Sequence, residues 1–270
     1  MLIADVMTQI EAVAPVDTAQ EWDNVGLQVG APDWPLMGVL VCLEITPAVV
    51  DEADRHGANM IVAHHPLIFR PLTAIRTDRP LGALIERLLA DQVGVYVAHT
   101  NLDAAAGIGT AAALAELLGV EKSSPLVEAG EVGLGLVGNL QSAATVAELE
   151  ARVREVLSPA RVTIVGDTSR TVGRLALMPG SGGDAVEAAV RSGADALICG
   201  DLKHHDALDA LALGLTVIDA THYATERPVV ARLVSHLVEK LGADVPVLAS
   251  RVITDPFAAD QDSANRSDGQ

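Results

Sequence analysis

The chain has 270 residues, of which half are hydrophobic and only 2% aromatic, and its formal net charge is −18. This length allows one large domain or two modest ones, with a core built from Ala, Val, Leu and Ile. The acidic balance argues against nucleic acid as the main partner, because phosphates would be repelled, but bound cations could still attract a small anion.

Three sequence features predict a cytoplasmic protein without a membrane segment. Residues 1–10 contain Asp5 and lack the basic stretch of a secretory signal peptide. No run reaches the about 18 apolar residues that a membrane span needs. Cys42 and Cys199 lie in apolar, strand-like runs, which predicts buried thiols rather than a disulfide or metal ligands.

Strands and helices alternate through the first part of the chain, which predicts a parallel sheet covered on both faces. Residues 21–30 pass from polar to apolar; there Trp22 could fill a core position, while Asp23 or Asn24 could reach a site. The apolar periodicity predicts helices over residues 2–13, 47–56 (with Thr46 as N-cap), 81–91 and 108–118, and strands over residues 39–45, 60–63 and 94–99.

A change in composition over residues 120–131 indicates a domain boundary, after which the alternation restarts. We expect strands over residues 133–140, 161–165, 172–178, 194–199, 215–220 and 245–253, and helices over residues 145–157, 184–192 and 226–241. Thr145 and Glu148 have the spacing of a capping box. The glycine-rich turn 179–183 could bind an anion at a helix N-terminus, although a tight turn without a ligand fits equally well. The polar residues 254–270 are predicted to be disordered.

The segment 60–69 organises the chain. A short apolar strand ends at Pro66, which has no N–H for a sheet, and His64 and His65 lie at its C-terminal tip. In open α/β sheets this is where ligands bind. Because neighbouring side chains on a strand point to opposite faces, the pair suits two separate ions, or one ion if the backbone turns after His64. Simple capping or loop histidines are the alternative.

Other predicted strands also end in metal-ligand types: His99 with Asp103, Asp201 with His204 and His205, and His222 with Glu226. His222 and Glu226 have the i,i+4 spacing of a zinc-binding pair on a helix. Pro228, however, fits only the first turn of a helix, which predicts a helix starting near Thr225 and His222 in the preceding loop. The best candidates are three imidazoles and two carboxylates. This set suits two ions sharing a carboxylate, and its nitrogen and oxygen atoms favour Zn²⁺, Mn²⁺, Fe²⁺ or Co²⁺.

Five blocks of the sequence together resemble the Nif-three-like dinuclear metal-centre family, whose members are often named GTP cyclohydrolase I type 2 homologues. They are residues 22–30 (WDNVGLQVG), 64–69 (HHPLIF), 99–103 (HTNLD), 200–205 (GDLKHH) and 222–226 (HYATE). The resemblance implies two divalent metal ions per subunit. The residues that match the family's ligand positions are His64, His65, Asp103, His222 and Glu226, with Glu226 as the bridging carboxylate.

The resemblance also implies two α/β domains with mostly parallel sheets, the second inserted into the first, and a toroidal homohexamer. We place the metal-binding domain at residues 1–125 and 214–255, the inserted domain at 126–213 and a disordered tail at 256–270. The chain lacks the extra middle domain of longer relatives. It also has Thr221 where the family usually has a glycine before the histidine.

The resulting functional hypothesis is a dinuclear-metal-dependent hydrolase acting on a nucleotide or another small phosphorylated anion. His204 and His205 are the candidate catalytic residues, as proton carriers, although they could instead orient the metal ligands. Asn24 and Lys203 are the candidate substrate contacts. The alternative is a metal-stabilised hexameric scaffold or regulatory protein without catalysis. Neither hypothesis includes a membrane or nucleic-acid partner.

Overall fold

The structure is a computed structural model that describes residues 1–129 and 132–258. Within these ranges, no helix combines the length and the apolar character that crossing a membrane requires. The helices are α1 (Ile3–Glu11), α2 (Pro47–Arg55), α3 (Pro80–Ala90), α4 (Thr100–Asp103), α5 (Thr110–Leu118), α6 (Val146–Leu157), α7 (Val186–Arg191), α8 (His204–Ala212), α9 (His222–Glu226) and α10 (Pro228–Leu241). The predicted caps form: Thr46 accepts the Val49 N–H, and Thr145 and Glu148 make the capping box.

The described strands form two sheets. They are β1 (Gly26–Val29), β2 (Val39–Cys42), β3 (Met60–Ala63), β4 (Gly94–Val97), β5 (Val120–Ala129), β6 (Val132–Thr145), β7 (Thr163–Val165), β8 (Thr171–Ser181), β9 (Ala196–Gly200), β10 (Thr216–Asp219) and β11 (Val247–Ala249). Residues 120–129 of the segment 120–131, which we interpreted as a boundary, form strand β5, and residues 130–131 lie outside the described part of the chain. The helix predicted over 184–192 begins with a 3₁₀ turn, Gly183–Ala185, and is shortened to α7.

The first sheet has the order β1-β4-β3-β2-β11, and all its pairings are parallel except that of β1 with β4. Helices α2 and α3 connect the parallel strands β2, β3 and β4, as parallel connections require. The ends of these strands are in register, with Cys42 opposite Ala63 and Ala63 opposite Val97. The residues that follow the three strands therefore emerge at one edge of the sheet.

The second sheet has the order β5-β6-β8-β9-β10-β7 and is mixed rather than mostly parallel. Only the pairs β8–β9 and β9–β10 are parallel. Strands β5 and β6 follow each other without a crossover helix, so they can only pair antiparallel. The parallel strands end in register, with Met178 opposite Cys199 and Cys199 opposite Asp219. This register brings the segments that follow β8, β9 and β10 to one edge.

The described chain divides into two compact units. One contains residues 1–102 and 230–254, and the other contains residues 103–229 and 255–258. These limits differ from the boundaries near residues 125 and 213 that the sequence suggested. Leu114 and Leu118 of α5 belong to the core under the second sheet, and β10 lies within that sheet. Of the predicted disordered tail, residues 259–270 lie outside the described part of the chain.

Candidate metal centre

Three imidazoles meet at the edge of the first sheet. His64 and His65 follow β3, and His99 follows β4. Their ring centroids are 5.0, 5.2 and 5.6 Å apart, and their potential ligand atoms all lie within 4.8 Å of one another. The register of β3 and β4 explains this arrangement, because both strands end at the same level.

Each of these imidazoles is held through Nδ1 by an oxygen acceptor. His64 donates to the carbonyl of Ala98 at 2.9 Å, His65 lies 3.1 Å from Glu44 Oε1, and His99 lies 2.9 Å from Asp23 Oδ1. A carbonyl or carboxylate oxygen accepts only, so the proton sits on Nδ1 and the Nε2 atom carries the lone pair. This is how histidines that bind metals are usually oriented.

The Asp23 carboxylate is the most constrained of these acceptors. Its side chain is fully buried, and it accepts hydrogen bonds from His99 Nδ1 and from the N–H and Oγ1 of Thr100. Burial alone would raise its pKa, but the hydrogen bonds from His99 and Thr100 outweigh it and hold the pKa of Asp23 well below its usual value. Asp23 therefore stays ionised and fixes the orientation of His99.

The second unit supplies an imidazole and a carboxylate from α9. His222 Nε2 lies 3.0 Å from Glu226 Oε2, and His222 Nδ1 lies 2.8 Å from Asp201 Oδ2. Glu226 is only 4% exposed. The prediction that His222 lies in a loop is wrong. Pro228 starts α10 as its first residue, and the separate short helix α9 carries the i,i+4 pair.

The remaining predicted residues have simpler surroundings. Asp103 ends α4 and accepts a hydrogen bond from Thr110 Oγ1 at 2.6 Å. His204 and His205 begin α8 as exposed residues whose ring centroids are 5.5 Å apart. Exposed Lys203 precedes them. The catalytic, substrate-binding and ligand roles assigned to these four residues stay predictions.

Two further predictions concern residues beside the sites. Asn24 is exposed, and its side-chain amide donates to the Ile68 carbonyl, which gives it a structural contact. The glycine-rich turn is a poor anion site, because a Cβ atom at Gly183 would collide with the Asp206 carboxylate. That acidic group would repel an anion.

The donors present suit divalent metal ions. Imidazole nitrogens and a buried carboxylate are typical ligands of Zn²⁺, Mn²⁺, Fe²⁺ and Co²⁺. Neither cysteine competes, since Cys42 and Cys199 are both buried free thiols and burial raises the pKa of each. The first unit thus contains a group of three histidines that could bind metal, and the second unit contains the His222–Glu226 pair.

Comparison with known proteins agrees with these observations. The family described as Duf34/NIF3 (NGG1p interacting factor 3) matches residues 1–256. The chain belongs to this family. A Clostridium perfringens protein named GTP cyclohydrolase 1 type 2 homolog is 34% identical over 260 residues, which cover 95% of this chain and 99% of that protein.

Solved structures of NIF3 relatives share the fold. A hypothetical protein of Staphylococcus aureus has a TM-score of 0.90 at 31% identity, and the match covers 96% of this chain and 99% of that chain. A Bacillus cereus protein related to NIF3 has a TM-score of 0.87 at 26% identity, with the same coverage of 96% and 99%.

Sequence reasoning missed two anchors of this NIF3 site. Asp23 was named only as a residue that could reach a site, and Glu44 was not named at all. Glu44 is the second residue after β2, as His65 is the second after β3, and it accepts hydrogen bonds from His65 and from Thr254 Oγ1. The position of an acidic residue just after a buried strand was the signal that could have identified it.

Thr221 carries backbone strain immediately before His222. Its φ of 70° and ψ of 153° belong to a region that essentially only glycine occupies. Its Oγ1 partly compensates by accepting the Ala224 N–H at 3.4 Å. The NIF3 resemblance implies glycine here, so this chain keeps the backbone conformation at an energetic cost.

We expect Thr221→Gly to stabilise the protein. The relief of about 1–3 kcal/mol of backbone strain should exceed the free energy lost with the N-cap hydrogen bond. The free energy of unfolding should therefore rise by about 1 kcal/mol. For a chain of this size that raises Tm by about 2–4 °C, measured by calorimetry on chelator-treated protein. Thr221→Ala is the control: it removes the cap without relieving the strain, so its Tm should fall. A Tm below wild type for Thr221→Gly would contradict the strain argument.

Proposed function

We propose that the protein is a dinuclear-metal-dependent hydrolase acting on a nucleotide or another phosphorylated small molecule. The observation that carries the proposal is the anchoring of four imidazoles through Nδ1. His64, His65, His99 and His222 are each held by a carbonyl or carboxylate oxygen. Such anchoring fixes the ligand atom before a metal binds, as in histidines that bind metal ions.

The proposed ligands are His64, His65, Asp103, His222 and Glu226, with Glu226 shared between the two ions. The buried position of Glu226 and its 3.0 Å approach to His222 Nε2 support this role. The proposed ions are divalent: Zn²⁺, Mn²⁺, Fe²⁺ or Co²⁺. The proposal also includes a toroidal homohexamer, which the family resemblance implies, and a cytoplasmic location, which the sequence predicts.

The roles of the chain's own residues follow from their contacts. Two divalent ions, when bound, would activate water and neutralise an anionic substrate. Asp23, Glu44 and Asp201 hold the imidazoles at fixed angles, and Asp23 does so as a carboxylate whose pKa is held below its usual value. His204 or His205 would carry the proton, because the ordinary pKa range of imidazole suits that role near neutral pH. Lys203 and Asn24 would contact the anion.

GTP is the first substrate to test, because relatives such as the Clostridium perfringens protein are named GTP cyclohydrolase 1 type 2 homolog. We expect turnover that depends on Mn²⁺, Zn²⁺, Fe²⁺ or Mg²⁺, measured by separating nucleotides chromatographically. His65→Ala should lower the rate more than about 100-fold, since losing a ligand should exceed the loss of a ligand's hydrogen-bond partner. His205→Ala should lower it about 100-fold if it moves the proton.

His56→Ala is the matched control, because His56 is exposed at the end of α2. Its rate should equal that of wild type. Turnover that survives His65→Ala unchanged would place the activity elsewhere. If wild type turns over no nucleotide or phosphoester with any of these metals, the non-catalytic scaffold becomes the better hypothesis.

A further inference from the structure

Two of the few aromatic side chains lie exposed beside the histidine cluster. The chain contains two tryptophans, two tyrosines and two phenylalanines in 270 residues. Trp22 is 61% exposed and Phe69 is 48% exposed. Their rings meet edge to face at 5.9 Å, and Trp22 also meets His99 edge to face at 6.2 Å. Trp22 therefore does not fill a core position, which was one possibility that the sequence left open.

Hydrogen bonds fix the backbone next to both rings. Trp22 precedes Asp23, whose carboxylate is held by His99 and Thr100. Phe69 follows Ile68, whose N–H donates to Gln28 Oε1 at 2.8 Å and whose carbonyl accepts from Asn24 and Gln28. The pair is thus organised in advance, which lowers the entropy cost of binding a ligand.

The loop that carries Phe69 is positively charged in a strongly acidic chain. Residues 66–79 contain no helix or strand, and residues 69–79 are all exposed. Residues 70–79 hold three arginines, Arg70, Arg76 and Arg79, against one acidic residue, Asp78, which forms an ion pair with Arg76 at 2.6 Å. The chain as a whole has a net charge of −18. A long irregular loop of this kind is commonly functional, and its charge favours an anion.

We propose that the Trp22–Phe69 pair binds the planar base of a nucleotide beside the histidine cluster, while the arginines of residues 70–79 attract its phosphates. An aromatic pair suits a flat ring, because stacking on exposed aromatic side chains is available to every base. The charged loop and the contact of Trp22 with His99 favour a ring-bearing anion over an apolar partner. This inference rests on the proposed function and names its substrate class.

The test uses metal-loaded protein of the Trp34→Phe variant, in which Trp22 is the only tryptophan. GTP should quench its fluorescence on titration, whereas inorganic triphosphate, which lacks a ring, should leave it unchanged. In the otherwise unchanged protein, calorimetry should show Trp22→Leu weakening GTP binding about 10-fold or more. Binding of triphosphate should change less than about twofold, since no stacking is lost.

Two further variants separate stacking from general damage. Trp22→Phe keeps an aromatic face and should bind GTP within about threefold of wild type. Phe257→Leu is the matched control: Phe257 is 59% exposed but belongs to the other unit, where it packs with Arg161. Its GTP affinity should equal that of wild type.

Several outcomes would overturn the inference. The first is an equal GTP affinity of Trp22→Leu and wild type. The second is that none of the four common nucleoside triphosphates quenches the fluorescence of Trp34→Phe. The third is that Trp22→Leu weakens the binding of GTP and of triphosphate equally. A change of subunit number in Trp22→Leu by light scattering would show a second copy on this surface instead. Binding through Trp22 without turnover would refute only the hydrolase. Turnover unaffected by Trp22→Leu would refute only the binding of the base by the Trp22–Phe69 pair.

Discussion

Replacing Glu226 with glutamine is expected to lower the bound metal from about two ions per subunit to one or none. Glutamine keeps the volume that the buried side chain fills, but its neutral amide cannot bridge two cations. His222 Nε2, 3.0 Å from Glu226 Oε2, would also lose its carboxylate neighbour. Metal-dependent turnover should fall by at least about 100-fold with the lost ion.

Elemental analysis after dialysis without chelator measures this effect directly. Glu239→Gln is the matched control, because Glu239 is 72% exposed on α10 and should leave the metal content unchanged. Retention of both ions by Glu226→Gln would refute the shared carboxylate. Loss of both ions with an unchanged circular dichroism spectrum would show that Glu226 is required by each of them.

The second large effect is expected at Gly200, the last residue of β9. A Cβ atom there would lie 2.5 Å from the backbone nitrogen of His222, 2.6 Å from the carbonyl carbon of Thr221 and 2.7 Å from the Gly180 oxygen. All three are backbone atoms, so no side chain can move aside. Gly200→Ala should lower the free energy of unfolding by about 3 kcal/mol and lower Tm by about 6–12 °C.

Gly173→Ala provides the matched comparison within the same sheet. The nearest atom to a Cβ at Gly173 is Asp195 Oδ2 at 3.8 Å, which is ordinary contact. Its Tm should stay within about 2 °C of wild type. Gly200→Ala should also bind less metal, because the displaced backbone carries His222. Equal melting temperatures for the two variants would show that the edge of the second sheet adapts without strain.

The position of His64 and His65 at a strand end could be predicted from the local sequence. An apolar run followed by His64, His65 and Pro66 identifies a strand end, and a parallel sheet brings such ends together. The anchors could not be predicted in the same way. Asp23 and His99 are 76 residues apart, and only the folded chain shows that their side chains meet.

Two differences between the predicted and the observed elements have clear physical causes. The charges of residues 120–131 suggested a boundary, and most of them lie on β5, the edge strand of its sheet, where charged side chains reach water and protect the open edge. Pro228 was interpreted as the first turn of a helix that begins near Thr225. In the structure Pro228 is the first residue of α10, which satisfies the rule that proline fits only the first turn of a helix. The separate helix α9 precedes it and contains His222.

Pro66 also helps to fix the register in which β3 pairs with β2. The side chains of β3, Met60–Ala63, are apolar and buried on both faces, so hydrophobic contrast cannot distinguish the native pairing from one shifted by a residue. The backbone of His65 donates to the Leu43 carbonyl at 2.8 Å. A slip that moved Pro66 into this position would lose the hydrogen bond, because proline has no N–H. Pro66 thereby disfavours a shifted pairing in which His65 would occupy the position of His64.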